Sequence, residues 1–143
     1  MNPVPERICN FIHEHHILTM AVSTENGSWC STCFFVYLRD QNCFIITSDP
    51  RTRHIREVVK NNNYLVSGAI ALETKMVGKI RGIQFSGNLR KLQGEELKNA
   101  RQAYLKTFPV ARLSRLYLWG LTPDFIKMTD NRLGFGKKLI WQG

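Results

Sequence analysis

The most restrictive feature of this chain is a quick succession of alternating segments with almost nothing between them. In "ILTMAVST" (17–24), Leu18, Met20 and Val22 alternate with Thr19, Ala21 and Ser23. "ENG" (25–27) follows, then "SWCSTCFFVYLRD" (28–40), then "QN", then "CFIITS" (43–48). Period-two alternation and a supply of aromatic and β-branched residues mark strands. Connections this short, with Asn-Gly in the first, make hairpins between antiparallel neighbours. The first half of the chain is therefore read as a β-meander following a helix.

The rest of the chain extends that pattern rather than replacing it. A short helix is expected over 5–16, with Ile8, Phe11 and Ile12 on one face. A second is expected over 49–61, capped by Asp49, with Pro50 at its first position and Ile55, Val58 and Val59 buried. Strands follow at 64–72 and, as one long segment, at 77–92, where Gly78, Gly82 and Gly87 mark bulges, corners or a close approach. A helix is expected over 94–108, acidic at its start, with Leu97, Ala100, Tyr104 and Phe108 in a row. Strands at 116–121 and 124–130 are separated by Thr122-Pro123, and "KKLIWQG" reads as a last strand. No βαβ rhythm occurs, so a parallel doubly wound sheet is not expected. The 143 residues suffice for one domain, 1–143, around one core. The fold class is mainly β: a small six- or seven-stranded antiparallel barrel with flanking helices.

Charge narrows the partners. The chain carries +9, from 20 Lys+Arg against 11 Asp+Glu, mostly after residue 50. That excess attracts anions. The cations are spread singly along strands and helices, with no Arg/Lys block and no RGG run, which favours a phosphate-bearing small molecule over nucleic acid. No apolar run is long enough to cross a bilayer, and "MNPVPERICNFIHEHH" lacks the form of a signal peptide, so the expected location is cytoplasmic, with no membrane partner.

Several apparent sites dissolve on inspection. Cys30-Ser-Thr-Cys33 has the form of a CxxC, but in a strand positions i and i+3 face opposite sides, and no helix N-terminus lowers either thiol. No second pair completes a zinc site. His13-Glu14-His15-His16 is read as a solvated helix end, because adjacent histidines diverge and no third ligand completes a triad. No metal is expected. There is no GxSxG elbow, no phosphate loop and no GxGxxG after a strand. Trp29, Trp119 and Trp141 are read as core or interface residues.

One stretch resists the bland reading. "ITSDPRTRHIREV" (46–58) turns a strand into a helix and brings Arg51, Arg53 and His54 to the helix start, where the dipole is positive. Cations there become favourable when an anion sits between them and the free backbone N–H groups. A phosphate monoester fits: Arg53 grips two oxygens as a fork, and Thr47, Ser48 or Thr52 adds a hydroxyl. The alternative is a solvated face whose arginines pair with acids elsewhere.

Phe44-Ile45-Ile46-Thr47 followed by Thr52-Arg53-His54 resembles the strand, turn and helix of the pyridoxamine 5′-phosphate oxidase-like split barrels that bind FMN. The resemblance runs over residues 8 to 142 and includes the order of elements in "WGLTPDFIKMTDNRLGFGKKLIW". Within that superfamily, "RGIQFSGNLR", "FPVAR" and "TDNRLGFGKK" together look like a small bacterial family with no assigned reaction. The resemblance implies a split β-barrel of the FMN-binding type working as a homodimer. It places the phosphate on Arg53 and His54, assisted by Thr47, Ser48 and Thr52. It places the polar edge of the flavin on the backbone of Ser31, Thr32, Cys33 and Phe34. It sets Arg81 beside the cofactor and brings Asn131, Lys137 and Lys138 to it from the other subunit.

The chain also departs from the oxidase. Tyr104, Arg112 and Ser114 are of the types that hold the vitamin phosphate there, but Tyr104 is read as core, and "GFG" stands where the oxidase has "HDR". Vitamin B6 oxidation is therefore not implied. The function expected is FMN binding, with the flavin serving oxidation or reduction of a small, anionic substrate and no side chain named as catalytic. Lys79, Arg81, Lys137 or Lys138 near the ring would raise its potential. The alternatives are storage or sensing of a flavin or haem-type ligand, or a basic barrel that holds nucleic acid.

Overall fold

Every alternating segment forms a strand, and every strand is antiparallel to its neighbours. The computed structural model describes residues 2–143. In chain order the elements are α1 (Glu6–His13), β1 (Ile17–Thr24), β2 (Gly27–Leu38), β3 (Cys43–Thr47), α2 (Arg53–Lys60), β4 (Leu65–Ala71), β5 (Arg81–Lys91), α3 (Gly94–Thr107), β6 (Leu118–Asp130) and β7 (Lys138–Gln142). Short 3-10 turns fill Arg39–Gln41, Val77–Lys79, Pro109–Leu113 and Asn131–Leu133.

The strands run β3-β2-β1-β4-β5-β6-β7, and β3 also pairs with β6. That extra pairing closes six strands into a barrel and leaves β7 as an appended edge. Closure pairs β3 with β6 where a free sheet would leave β3 as an open edge. Leu18, Met20 and Val22 point inward, as their alternation required, and meet Phe35, Phe44, Ile83, Phe85, Ile126 and Met128. The rings of Phe44 and Phe85 stack across the interior at 4.9 Å.

The helices occupy three different places. Ile8, Phe11 and Ile12 of α1, and Ile55 and Val58 of α2, join the barrel core. Arg7 on α1 pairs with Asp130, which lies opposite Arg81 where β5 starts and β6 finishes. Lys60 on α2 pairs with Glu25 in the β1–β2 turn. The two helices thus sit at opposite ends of the barrel. The third, α3, lies outside and makes a second small core from Ala100 and Tyr104 with Cys43, Ile45, Leu92 and Leu118.

Four expectations need correction. The second helix begins at Arg53, not Asp49, and its cap position is Thr52. Asp49 instead accepts from the backbone N–H of Arg51 at 2.8 Å and clasps the guanidinium of the same residue, closing a tight turn before the helix. Val59 is 53% exposed, because the three-residue advance from Ile55 to Val58 keeps the buried stripe and the next position rotates out. The expected strand over 77–92 starts only at Arg81, and Gly78 lies in a 3-10 turn. The two strands expected on either side of Thr122-Pro123 are one, β6. Proline is accommodated by a bulge: the register shifts opposite Ser86 and Gly87, so that Phe125 faces Ser86 and Pro123 faces Gly87. A Cβ on Gly87 would stand 2.3 Å from the carbonyl oxygen of Thr122, which explains the glycine.

Candidate functional site

The geometry of β2 defines the site. β3 pairs with β2 only along Phe35–Leu38, whereas β1 pairs with it from Gly27 to Phe34. The first two thirds of β2 therefore have one edge without a strand. The N–H of Phe35 donates to His16 at 2.9 Å, on the β1 side. Alternation then turns the N–H and C=O groups of Cys30, Thr32 and Phe34 toward the open edge. Backbone donors and acceptors are thereby presented in a row, without a side chain being required.

The β3–α2 turn approaches this same edge. Arg53, the first residue of α2, lays its guanidinium over the Trp29 ring, 3.8 Å from the centroid. Stacking uses the face of the guanidinium and leaves its in-plane donors free. Arg53 makes no ion pair or side-chain hydrogen bond among the described residues. Arg51 differs: its Nη2 donates to Asp49 Oδ2 at 2.7 Å. That clasp holds the Asp49 carboxyl down at about 2. Arg51 is thus paired with an acid, and Arg53 is not. The leading N–H groups of α2 have no partner within the helix and lie beside Arg53.

His54 and Ser48 form the inner layer. His54 is buried, and its Nε2 lies 2.8 Å from Ser48 Oγ. Burial lowers its pKa from the ordinary 6.5. Ser48 is fixed on every side: its N–H donates to Tyr117, its C=O accepts from Trp119 Nε1 at 2.9 Å, and its Oγ lies 4.0 Å from the Cys33 sulfur. Burial pushes the Cys33 thiol up. Ser31 Oγ also approaches that sulfur, at 3.9 Å. The hydroxyl of Thr52 donates back to the carbonyl of Asp49 at 2.7 Å, so it braces the turn. Thr47 ends β3 half-buried beside them.

The expected residues therefore fall into two groups. Ser31, Thr32, Cys33, Phe34, Thr47, Ser48, Thr52, Arg53 and His54 meet along β2 and the β3–α2 turn. Phe34 is 54% exposed and packs edge-on against Phe108 below α3. Arg81, Asn131, Lys137 and Lys138 lie at the opposite end of the barrel. Arg81 donates to Glu14 at 3.1 Å and sits over the Phe11 ring, and its Nε is buried without a partner. Asn131 ties the two loops there together: its Nδ2 donates to Val77 at 2.9 Å, and its Oδ1 accepts from Gly136. Lys138 donates to Thr129. Between these residues Leu133 and Phe135 protrude, Phe135 being 87% exposed. Tyr104 is buried in the second core, and Arg112 and Ser114 lie outside both groups.

Trp29, read as a core or interface residue, is not core: it is 41% exposed and carries Arg53. Its partner lies on another element, and no spacing rule links a strand residue to the start of a later helix. Cys30 is exposed and Cys33 buried, as i and i+3 in a strand require.

The fold matches solved split barrels. A heme binding protein from Mycobacterium smegmatis superposes with a TM-score of 0.76 at 19% identity, over 92% of this chain and 54% of that one. A pyridoxamine 5′-phosphate oxidase-related, FMN binding protein from Nostoc punctiforme superposes with a TM-score of 0.70 at 14% identity, over 99% of this chain and 91% of that one. The architecture is thus the split barrel of the pyridoxamine 5′-phosphate oxidase-like proteins. No family model matches the chain. By sequence, a UPF0306 protein from Klebsiella pneumoniae is 42% identical over 135 residues, covering 94% of this chain and 90% of its own. Identity at that level over nearly the whole length of both proteins means that the chain belongs to the UPF0306 family.

Proposed function

We propose that this protein binds FMN, with the phosphate at the start of α2 and the flavin ring along the open edge of β2. One observation carries the reading. Arg53 is stacked on Trp29 at 3.8 Å, beside the free N–H groups of a helix start, and has no acidic partner among the described residues. A cation in that position is unfavourable alone and favourable with a dianion. His54 acts through Ser48, holding its hydroxyl in one orientation, while Arg53 and the α2 N–H groups meet the phosphate. The open N–H and C=O groups of Thr32 and Phe34 suit the polar edge of a flavin ring. The Nostoc punctiforme relative by fold, an FMN binding protein, supports the same choice of ligand.

Bound flavin would supply the electron chemistry, acting on a small, anionic substrate; the chain's own residues bind, orient and exclude water. The site is completed by a second copy. Asn131, Lys137 and Lys138 lie at the other end of the barrel from Arg53, so a two-fold pairing is needed to bring them to a flavin. The outer sheet face supports such a contact. Thr19, Ala21, Cys30, Ser67 and Ala69 line a shallow groove of about 450 Å³ together with Phe125, and Lys127 is the one charged residue in its lining.

The purified protein should be yellow and release FMN on denaturation. Arg53→Ala should weaken FMN binding tenfold to a hundredfold in a fluorescence titration, roughly the value of one hydrogen bond to a charged group, about 1.5–3 kcal/mol. Unchanged affinity would remove the phosphate assignment.

A second reading, haem binding, is favoured by one hollow. His13, His15 and His16 line it between α1 and α3, and His15 uses Nδ1 toward the Phe11 carbonyl at 2.7 Å, leaving Nε2 free. The Mycobacterium smegmatis relative by fold is a heme binding protein. A Soret band that shifts in His15→Ala, with no flavin released, would select this reading.

A further inference from the structure

The cations outside the flavin site are not scattered. Lys98, Arg101 and Lys106 project from the outer side of α3, and Arg112 reaches over from the Pro109–Leu113 turn. Together with Gln102 and Leu105 they line one hollow of about 410 Å³ that contains no acidic residue. None of the four cations makes an ion pair among the described residues. The acids of α3 are at its first turn, Glu95 and Glu96, and Glu96 is bound to Arg90. The C-terminal dipole of α3 accounts for Lys106 in the last turn, but not for Lys98, Arg101 or Arg112. Four like charges around one concavity repel one another unless an anion joins them.

We propose that this hollow is a second anion site, built for a small molecule that carries two or more phosphate groups. Two features set the number. One phosphate dianion balances two cations, whereas four converge here. Lys98 and Lys106 are also about 12 Å apart along the helix axis at 1.5 Å per residue, wider than one phosphate group spans. The floor is aliphatic, Leu105, so there is no platform on which bases of a single strand would stack. Val110 and Leu113, 77% and 89% exposed, share the Pro109–Leu113 turn with Arg112, so a phospholipid surface is the other source of the same chemistry. The proposal is independent of the flavin reading, since Arg53 is on another element.

The test is a calorimetric titration of the full chain with inorganic tripolyphosphate at low ionic strength. Saturable binding is expected, at least tenfold tighter than for orthophosphate, and at least tenfold weaker in the double variant Arg101→Gln/Arg112→Gln, whose side chains are exposed. Arg53→Ala should leave it unchanged. Absence of binding, equal affinity in the double variant, or loss of binding in Arg53→Ala overturns the proposal. So does binding seen only with phosphatidylglycerol vesicles, or only with oligonucleotides, and not with tripolyphosphate.

Discussion

At the scale of single residues, the site is built from groups whose environments differ sharply over a few ångströms. Arg51 is neutralised by Asp49, while Arg53, two positions on, is stacked and uncompensated. His54 is turned inward to Ser48. Its pKa is lowered from 6.5 by burial, so the unfolded chain binds a proton at a pH where the folded chain does not. The stability tied to neutral His54 is complete above pH 6.5 and is lost as the pH falls below that value. The melting temperature should therefore drop as the pH is lowered below 6.5, and His54→Gln should flatten the slope. Asp49 and Asp130, both held at about 2 by arginines, titrate below that window. A slope identical in His54→Gln would show that His54 does not titrate with folding. The row of alternating apolar residues made the interior legible, but Arg53 on Trp29 was not, because contact between two elements leaves no periodic trace.

At the scale of elements, propensity placed the strands and helices, and pairing corrected their ends. Asp49-Pro50 has every local mark of a helix start, yet Asp49 is taken by Arg51, and the helix waits for Thr52. Thr122-Pro123 has every mark of a break, yet β6 runs through it, because Gly87 lets the backbone of Thr122 and Pro123 come close and the bulge at Asp124 restores the pairing beyond them. Gly87→Ala should therefore cost about 1–3 kcal/mol, read as a lower denaturant midpoint with an unchanged slope. Gly78 should tolerate the same change, since nothing lies within 4 Å of its Cβ position. Equal midpoints for the two variants would mean that the bulge does not depend on glycine.

At the scale of the whole molecule, the unpaired surface is as informative as the core. An outer sheet face of mostly small residues with a single lysine and the protruding Phe135 loop suit a second copy, and the two groups of candidate residues lie at opposite ends of the barrel. Ala21→Glu, on that face, should convert a dimer to a folded monomer in light scattering and weaken FMN binding at the same time. A dimer that survives would move the interface elsewhere. The sequence alone determined the antiparallel barrel, its inward residues and the cationic turn, because each follows from alternation, tight connections and local charge within a few residues. Only the tertiary structure decided that β3 closes on β6, that the first part of β2 keeps an open edge, that Arg53 finds Trp29, and that Arg81 and Asn131 end at the far end of the barrel. Those outcomes depend on which distant strands pair and in what register. Register is set by the fit of the packed interior as a whole and not by any one segment.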